Sequence, residues 1–509
     1  MAKTVMLQGT ASNVGKSILA TAICKIIYDS GLKVAPFKSW NMALNSYVTE
    51  KGGEVGRAQA LQAEACNVII NVDMQPFLVK PKGDGTSQVI VKGKPVGDFK
   101  STRKDSDYIK WAMDIIKESL TKLKKEYEVV VMEGAGSPAE VNISDKDLAN
   151  MKVAKLFNTP VILVADIDRG GVFASIVGTM ELLGEDRKYV KGIIINKFRG
   201  DKSSLKSGID FIEKRTQTPV LGVIPYFDDI DLPEEDSVSI KEHVNENAEI
   251  EIGVINLPHL SNFTDFDVFN QHPLVGLRYI NNKVNDIENF DLLIIPGTKN
   301  TTEDLRYLKK SGLAEKIIKA AQNNVQVIGI CGGYQMLGKK LIDPNLTEGK
   351  TKQIDGLGLL DIETRFSEGK NTYQIKAELY QDQNLLDELN NTEIEGYEIH
   401  MGETKLGKNI SPMFKIKSRS NQKCLIKDGA VSKIYDIWGT YIHGIFDNDD
   451  FRREVLNHLL DKKSSESIKQ ETINFKRQRE KAINKLAEKV KENLDLEKLY
   501  KIMDLGMNA

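Results

Sequence analysis

The sequence predicts an α/β protein built from two doubly wound parallel-sheet domains, followed by C-terminal helices. Two observations lead there. Short apolar runs rich in Val and Ile recur without polar alternation at Thr4 to Leu7, Val129 to Met132, Pro160 to Ala165, Gly192 to Ile195 and Val220 to Ile224, with helix-length amphipathic stretches between them. Such runs mark strands buried on both faces of a parallel sheet. After a polar, acidic stretch at 234–249, a second series begins with Ile250 to Leu257, Leu292 to Ile295 and Val325 to Ile330, and more β-rich text lies at Tyr373 to Glu378 and Ile437 to Ile442. This texture divides the chain into a first domain at 1–233, a linker at 234–249, a second domain at 250–450 and a helical region at 451–509. In the last region Ile483, Leu486, Val490 and Leu494 step by three and four, and Leu496, Leu499 and Met503 begin another stripe. A solvated tail with one apolar face is the favoured expectation for it.

Composition narrows the function. At 509 residues the chain has room for several cores, and 70 basic against 72 acidic side chains leave a net charge of −2. No broad basic field exists to hold a polyanion, so nucleic acid is not an expected partner. The four cysteines, Cys24, Cys66, Cys331 and Cys424, form no C-x-x-C pair, which argues against a disulfide framework or a structural zinc and for a reducing cytoplasm. The N-terminus runs directly into strand-like text, so no secretory signal is expected. No apolar run approaches the roughly 18 residues of a membrane span.

The first strand leads into Leu7-Gln8-Gly9-Thr10-Ala11-Ser12-Asn13-Val14-Gly15-Lys16-Ser17, which opens an amphipathic helix at Ile18 to Tyr28. In such a loop backbone N–H groups and the helix N-terminus wrap phosphate oxygens, the lysine reaches the outer phosphates and the hydroxyl ligates Mg²⁺. Thr10 stands where G-x-x-x-x-G-K-[ST] requires its first glycine, which here lies one place earlier. Thr10, Asn13, Gly15, Lys16 and Ser17 are therefore the candidate nucleotide contacts. Mg²⁺ prefers oxygen ligands, so a carboxylate beside the loop is expected. Glu133 is the first candidate, because it ends the buried run Val129 to Met132 and precedes Gly134-Ala135-Gly136 at the ligand-binding edge of the sheet. Asp166 and Asp168 rank second. Lys38, after the second strand, is a further phosphate candidate.

In the second domain Cys331 follows the strand ending at Ile330, and the pattern Gly329-x-Cys331-x-Gly333 has the form of a nucleophile elbow. Glycines permit a sharp turn that lifts the sulfur out, and the following helix N-terminus favours thiolate. A thiolate that attacks an amide needs an acid–base partner. His443, at the end of the run Trp438 to Ile442, is the leading candidate, with His400 as its competitor. Gly332, just after the nucleophile, and Gly297, at another strand end, are the candidate oxyanion donors.

The phosphate loop, the Glu133 segment and the cysteine elbow, in this order and over essentially the whole length, resemble the cobyric acid synthase family, glutamine-hydrolysing amidases of adenosylcobalamin synthesis. The first domain is similar to dethiobiotin synthetase, a P-loop NTPase-like fold with the same extra loop residue and a Mg²⁺-binding Glu in a Glu-Gly-Ala-Gly context. That resemblance matches Lys38 to the family's lysine after the second strand, and Asn196, in Ile195-Asn196-Lys197, to its base-contacting Asn. The second domain resembles the flavodoxin-like class I glutamine amidotransferases, which implies Cys331 as nucleophile, His443 as base and Gln335 near the glutamine. The family-specific text is Lys38-Ser39-Trp40-Asn41-Met42-Ala43-Leu44-Asn45-Ser46, the stretch from Pro258 to Asp267, and Tyr397-Glu398-Ile399-His400-Met401-Gly402. Most class I enzymes place Glu two residues after the histidine. Here that residue is Ile445, so a Cys331–His443 dyad is expected.

The resemblance implies ATP and Mg²⁺ as cofactors, and glutamine and a corrinoid as substrates. ATP would activate the b, d, e and g carboxylates of adenosylcobyrinic acid a,c-diamide, while Cys331 releases ammonia from glutamine along a sheltered path. Two alternatives remain at this stage. A cobyrinic acid a,c-diamide synthase-type amidase carries Pro-Asp-Tyr-Ile-Asp-Pro where this chain has Asn-Met-Ala-Leu-Asn-Ser. A partition-type ATPase switch carries a second lysine at the position of Thr10 and needs no glycine-flanked cysteine.

Overall fold

The computed structural model describes residues 2–506 except 84, 101–105, 231, 233–244, 246, 271, 285, 350, 381–388, 390–391, 464–466 and 469–473. Most of the expected linker at 234–249 therefore lies outside the described residues. The first domain is centred on a six-stranded sheet. Its spatial order is Val220–Pro225, Val190–Phe198, Val161–Asp166, Lys3–Gly9, Val129–Glu133 and Val34–Phe37. Every pairing in it is parallel. The five expected apolar runs form five of these strands, and the inner ones are buried on both faces as continuous Val and Ile text requires. The order reverses beside the first strand, so the loop after Gly9 and the end of Val129–Glu133 meet at the switch point where open α/β sheets bind ligands.

Between the second strand and the helix Ser106–Glu126 the chain builds a four-stranded sheet from Trp40–Met42, Phe77–Gly83, Thr86–Val91 and Lys94–Lys100. The hairpin strands Ser46–Val48 and Glu54–Gly56 lie beside it in sequence. These strands are short and mixed in polarity, which is why apolar periodicity does not reveal them.

The second domain has a seven-stranded sheet whose parallel part runs Val275–Ile280, Ile250–Ile255, Leu292–Ile295, Gln326–Ile330 and Ile437–Thr440, continued by the antiparallel Ala430–Ser432 and Ile410–Ser411. The β-rich text near Tyr373 belongs to another sheet, in which Ile362–Leu379 pairs antiparallel with Ile394–Leu406. That second sheet walls one side of the Cys331 cavity.

The expected helices at 451–509 are present, and what is corrected is the favoured expectation of a solvated tail. The helix Asp449–Lys462 packs into the second domain through Phe451, Val455, Leu456, Leu459 and Leu460. The helices Phe475–Lys491 and Leu496–Ile502 return to the first domain. There Ile483, Leu486, Val490, Leu494, Leu499 and Met503 join the core beside Leu19, Ile23 and Ile27 of the helix Lys16–Asp29. Local signals set their ends: Asn474 caps the first through Arg477 N at 2.8 Å, and Asp495 caps the second through Lys498 N at 3.0 Å. The chain comes so close to the sheet edge at Leu494 that a side chain on Gly222 would collide with the Asn493 carbonyl.

Candidate active site

Two cavities hold the predicted groups. The larger, about 980 Å³, is lined by Asn13, Gly15, Lys16, Ser17, Lys38, Glu133 and Asn196 among others. Gly15, at φ 95°, caps the helix that Lys16 begins, a backbone conformation that favours glycine. The Lys16 ammonium donates to the carbonyls of Ala11 and Gly136, each at 3.1 Å, which folds it over the loop. Glu133 is the hub. Its Oε1 accepts from Ser17 Oγ at 2.8 Å and from Lys38 Nζ at 2.8 Å, and its Oε2 accepts from Gln62 Nε2 at 2.6 Å. Burial pushes the Glu133 carboxyl up, but the Lys38 charge and the bonds from Gln62 and Ser17 outweigh it and hold the group below the ordinary carboxylate range.

The remaining nucleotide candidates divide. Asn196 donates its amide to the Val14 carbonyl at 2.8 Å and so braces the loop from below. Thr10 is tied by its backbone N–H to Val164 at 2.9 Å and does not line the cavity. Asp166 and Asp168 do not join Ser17. Asp166 pairs with Lys197 at 3.0 Å and accepts from Asp168 N at 2.8 Å, while Asp168 pairs with Arg199 at 2.9 Å, so both serve a turn. Gln62 was missed by sequence reading. It sits on the helix Arg57–Ala65 without a motif, and only packing brings it to Glu133.

The smaller cavity contains Cys331, His443, Gln335, His400, Lys299, Glu348 and, from the first domain, Lys80. Cys331 has φ 52° and ψ −106°, a strained backbone for a residue with a side chain. Gly333 permits the turn, since a side chain there would strike the Ile295 carbonyl. The Cys331 sulfur lies 3.4 Å from the Ile399 carbonyl. Gly297 and Gly332 flank the site: a Cβ on Gly297 would come within 3.0 Å of His443 Cε1, and one on Gly332 within 3.2 Å of Thr298 N. Gln335 is held on three sides, donating to Met401 O at 3.0 Å and to Tyr441 Oη at 3.2 Å and accepting from Thr301 Oγ1 at 3.2 Å.

The expected dyad is corrected by a third group. His443 Nδ1 lies 2.6 Å from Asp265 Oδ2, and the other oxygen of Asp265 accepts from Gly444 N at 3.1 Å. Burial pushes the His443 imidazolium down, but the Asp265 and Cys331 charges outweigh it and raise it to about 10. A cysteine and a histidine in one cavity, with the histidine oriented by a carboxylate, is the arrangement of a nucleophilic triad. Asp265 lies inside the family-specific stretch Pro258 to Asp267, 178 residues from His443, and no spacing rule links the two. His400 stacks on Tyr441 at 3.7 Å and is not bonded to Asp265.

The two domains meet at this cavity. Asn262 Oδ1 accepts from Ser46 N at 2.9 Å, and Asn45 Oδ1 accepts from Phe263 N at 3.1 Å, so the segment that begins at Lys38 ends on the loop carrying Asp265. Buried Glu54 joins Lys80, at 2.7 Å, to Lys370 of the second domain.

Comparison with known proteins follows the same division. The CobQ/CobB/MinD/ParA nucleotide binding domain matches residues 5–240, and the CobB/CobQ-like glutamine amidotransferase domain matches residues 251–451. A cobyric acid synthase from Desulforamulus reducens is 47% identical over 509 residues, 99% of each chain. The chain belongs to the cobyric acid synthase family. Further members are the cobyric acid synthases of Dehalococcoides mccartyi strain 195, 47% identical over 100% of this chain and 99% of the relative, and of Listeria monocytogenes serotype 4b strain CLIP80459, 48% identical over 99% and 97%. As a member of that family the protein is an ATP-dependent carbon–nitrogen ligase of cobalamin biosynthesis that takes its nitrogen from glutamine. Among the described residues no helix is long and apolar enough to cross a membrane.

Proposed function

We propose that residues 1–233 phosphorylate side-chain carboxylates of a corrinoid with ATP, and that residues 250–450 hydrolyse glutamine to supply the ammonia that displaces phosphate. The substrate is adenosylcobyrinic acid a,c-diamide, amidated at its b, d, e and g carboxylates to adenosylcobyric acid. A carboxylate resists ammonia until one oxygen becomes a leaving group, and phosphorylation provides that group. Lys16 swings from the Ala11 and Gly136 carbonyls to the outer phosphates, where its charge offsets the charge developing on the transferred group. Lys38 sits close enough to follow it.

The donors beside the loop suit Mg²⁺. Ser17 Oγ and the ionised Glu133 are adjacent hard oxygens. Mg²⁺ usually binds through one or two protein oxygens together with phosphates and water. Bound at Ser17 and Glu133, it would neutralise phosphate charge.

In the second domain His443 takes the Cys331 proton, and the thiolate attacks the glutamine amide carbon. Gly297 and Gly332 N–H groups receive the oxyanion. The imidazolium, held by Asp265, returns the proton to the leaving nitrogen, so that ammonia departs and a thioester remains for water to cleave. Ammonia stays unprotonated only away from bulk water, and Lys80, which reaches the cysteine cavity from the first domain, supports a route between the domains, as do the bonds that tie Asn45 and Ser46 to the loop carrying Asp265. The four cysteines are free, which agrees with a cytoplasmic setting.

The observation that carries this reading is the Cys331–His443–Asp265 chain standing against the phosphate-loop domain. Its test is incubation with adenosylcobyrinic acid a,c-diamide, Mg-ATP and glutamine, with product mass followed in time. Successive carboxyl-to-amide conversions that end at adenosylcobyric acid are expected. Amidation of a less amidated corrinoid that stops at the a,c-diamide would overturn the substrate assignment.

A further inference from the structure

The cysteine cavity contains two buried charges that the chemistry at sulfur does not use. Lys299 follows the turn after Leu292–Ile295, where its backbone N–H bonds to the His259 carbonyl at 2.9 Å. Its side chain lines the cavity although the residue is only 7% exposed. Among the described residues its ammonium has no hydrogen-bond or ion-pair partner. Lys80 and Lys370 line the same cavity, but Glu54 binds both. Glu348, 6% exposed, lines the opposite charge into the same space. Its Oε2 accepts from Thr301 N at 3.2 Å and lies 3.3 Å from Thr301 Oγ1, while its Oε1 has no partner among the described residues.

An unpaired buried ammonium costs several kcal/mol. Burial pushes Lys299 down to about 7, with the Lys370 charge adding to the effect. Lys299 and Glu348 interact electrostatically yet form no ion pair with each other. A ligand that carries an anion and a cation on one carbon would satisfy both. The α-carbon of an amino acid is such a ligand. Thr301 links Glu348 to Gln335, the residue that the resemblance places near the glutamine.

We propose that Lys299 binds the α-carboxylate of glutamine and Glu348 its α-ammonium, so that the cavity selects an amino acid over other primary amides. The proposal rests on the glutaminase reading above and adds the groups that recognise the head of the substrate. With glutamine bound, the carboxylate supplies the counter-charge that Lys299 otherwise lacks, and Glu348 gains a cation for its open oxygen. These two residues position substrate and take no part in bond making at Cys331.

The test compares glutamine with two amides that each lack one head group: 4-aminobutanamide, without the carboxylate, and 4-carbamoylbutanoate, without the amine. Ammonia release by the full chain is measured for each. Lys299→Met is expected to raise KM for glutamine at least about tenfold with little change in kcat, the loss expected for one charge-assisted bond. It should also abolish the preference for glutamine over 4-aminobutanamide. Glu348→Gln should do the same for 4-carbamoylbutanoate. Lys299→Arg keeps the charge and should keep the preference, which separates recognition from a folding defect. Unchanged discrimination in Lys299→Met and Glu348→Gln, or a fall in kcat at constant KM, would overturn the proposal. A wild-type chain that releases no ammonia from glutamine would instead overturn the glutaminase reading.

Discussion

At the phosphate loop the polar groups satisfy one another, since Lys16 holds the Ala11 and Gly136 carbonyls and Glu133 gathers Ser17, Lys38 and Gln62 in front of a cavity of about 980 Å³. At Cys331 the backbone is strained, His443 is clamped by Asp265, and Lys299 stands buried without a side-chain partner among the described residues. The chemistry proposed for the two sites accounts for the difference. Phosphoryl transfer is mainly positioning and charge neutralisation around a ligand that brings its own charge, so internal bonds can keep the cationic groups in reserve. Thioester formation requires the nucleophile, its base and the base's carboxylate to be in place beforehand, so strain and burial are concentrated there.

Several substitutions test that contrast. Cys331→Ala should abolish glutamine-dependent amidation, by on the order of 10⁴-fold or more, yet leave amidation with high ammonium, because the activating half is separate. Lys16→Ala should lose both activities. Equal loss with either nitrogen source in the cysteine variant would mean that the two regions form one catalytic unit. The assay is product mass with glutamine or ammonium as donor.

Asp265→Asn should lower glutaminase kcat on the order of 10³-fold. It should also move the upper limb of the pH profile. His443 is held near 10 because the Asp265 and Cys331 charges favour its protonated form against burial. A neutral amide removes part of that support, so the imidazolium loses its proton at lower pH and the limb shifts downward. A pH profile of Cys331 alkylation by iodoacetamide reads this directly, and an unmoved limb would remove Asp265 from the site.

Smaller effects are expected where the regions join. Asn45→Ala deletes the bond to Phe263 N at 3.1 Å. It should raise the ratio of glutamate formed to amide formed by up to about tenfold, as one lost hydrogen bond allows. A ratio equal to wild type would show that this contact does not couple the domains. Smallest for catalysis is Leu486→Ala in the returning helix. It should destabilise the first domain by about 3 kcal/mol in denaturant unfolding while glutaminase kcat changes little. A glutaminase loss as large as the stability loss would imply that the two halves fold as one unit.

Much of this architecture was legible in the sequence because its signals are local. Continuous Val and Ile runs reported the strands of both parallel sheets, and Gly15-Lys16-Ser17 and Gly329-x-Cys331-x-Gly333 reported turns whose geometry depends on glycine at fixed spacing. The phosphate loop, the position of Glu133 at a strand end and the cysteine elbow all lie within single strand–turn–helix units. The apolar stripe from Ile483 to Leu494 was equally visible, but not where it packs. A stripe specifies that a face is buried and not which surface buries it, so the return of this helix to the first domain was undetermined.

By itself, then, the sequence determined which backbone units form and which residues stand at their turns, since propensity, periodicity and glycine geometry act over a few residues. The tertiary structure decided which distant groups share a cavity. Asp265 reaches His443 across 178 residues, and Lys370 reaches Glu54 across 316. Such pairings follow from how sheets and loops pack around one another, and the strength of a buried charge depends on that packing rather than on its neighbours in the chain.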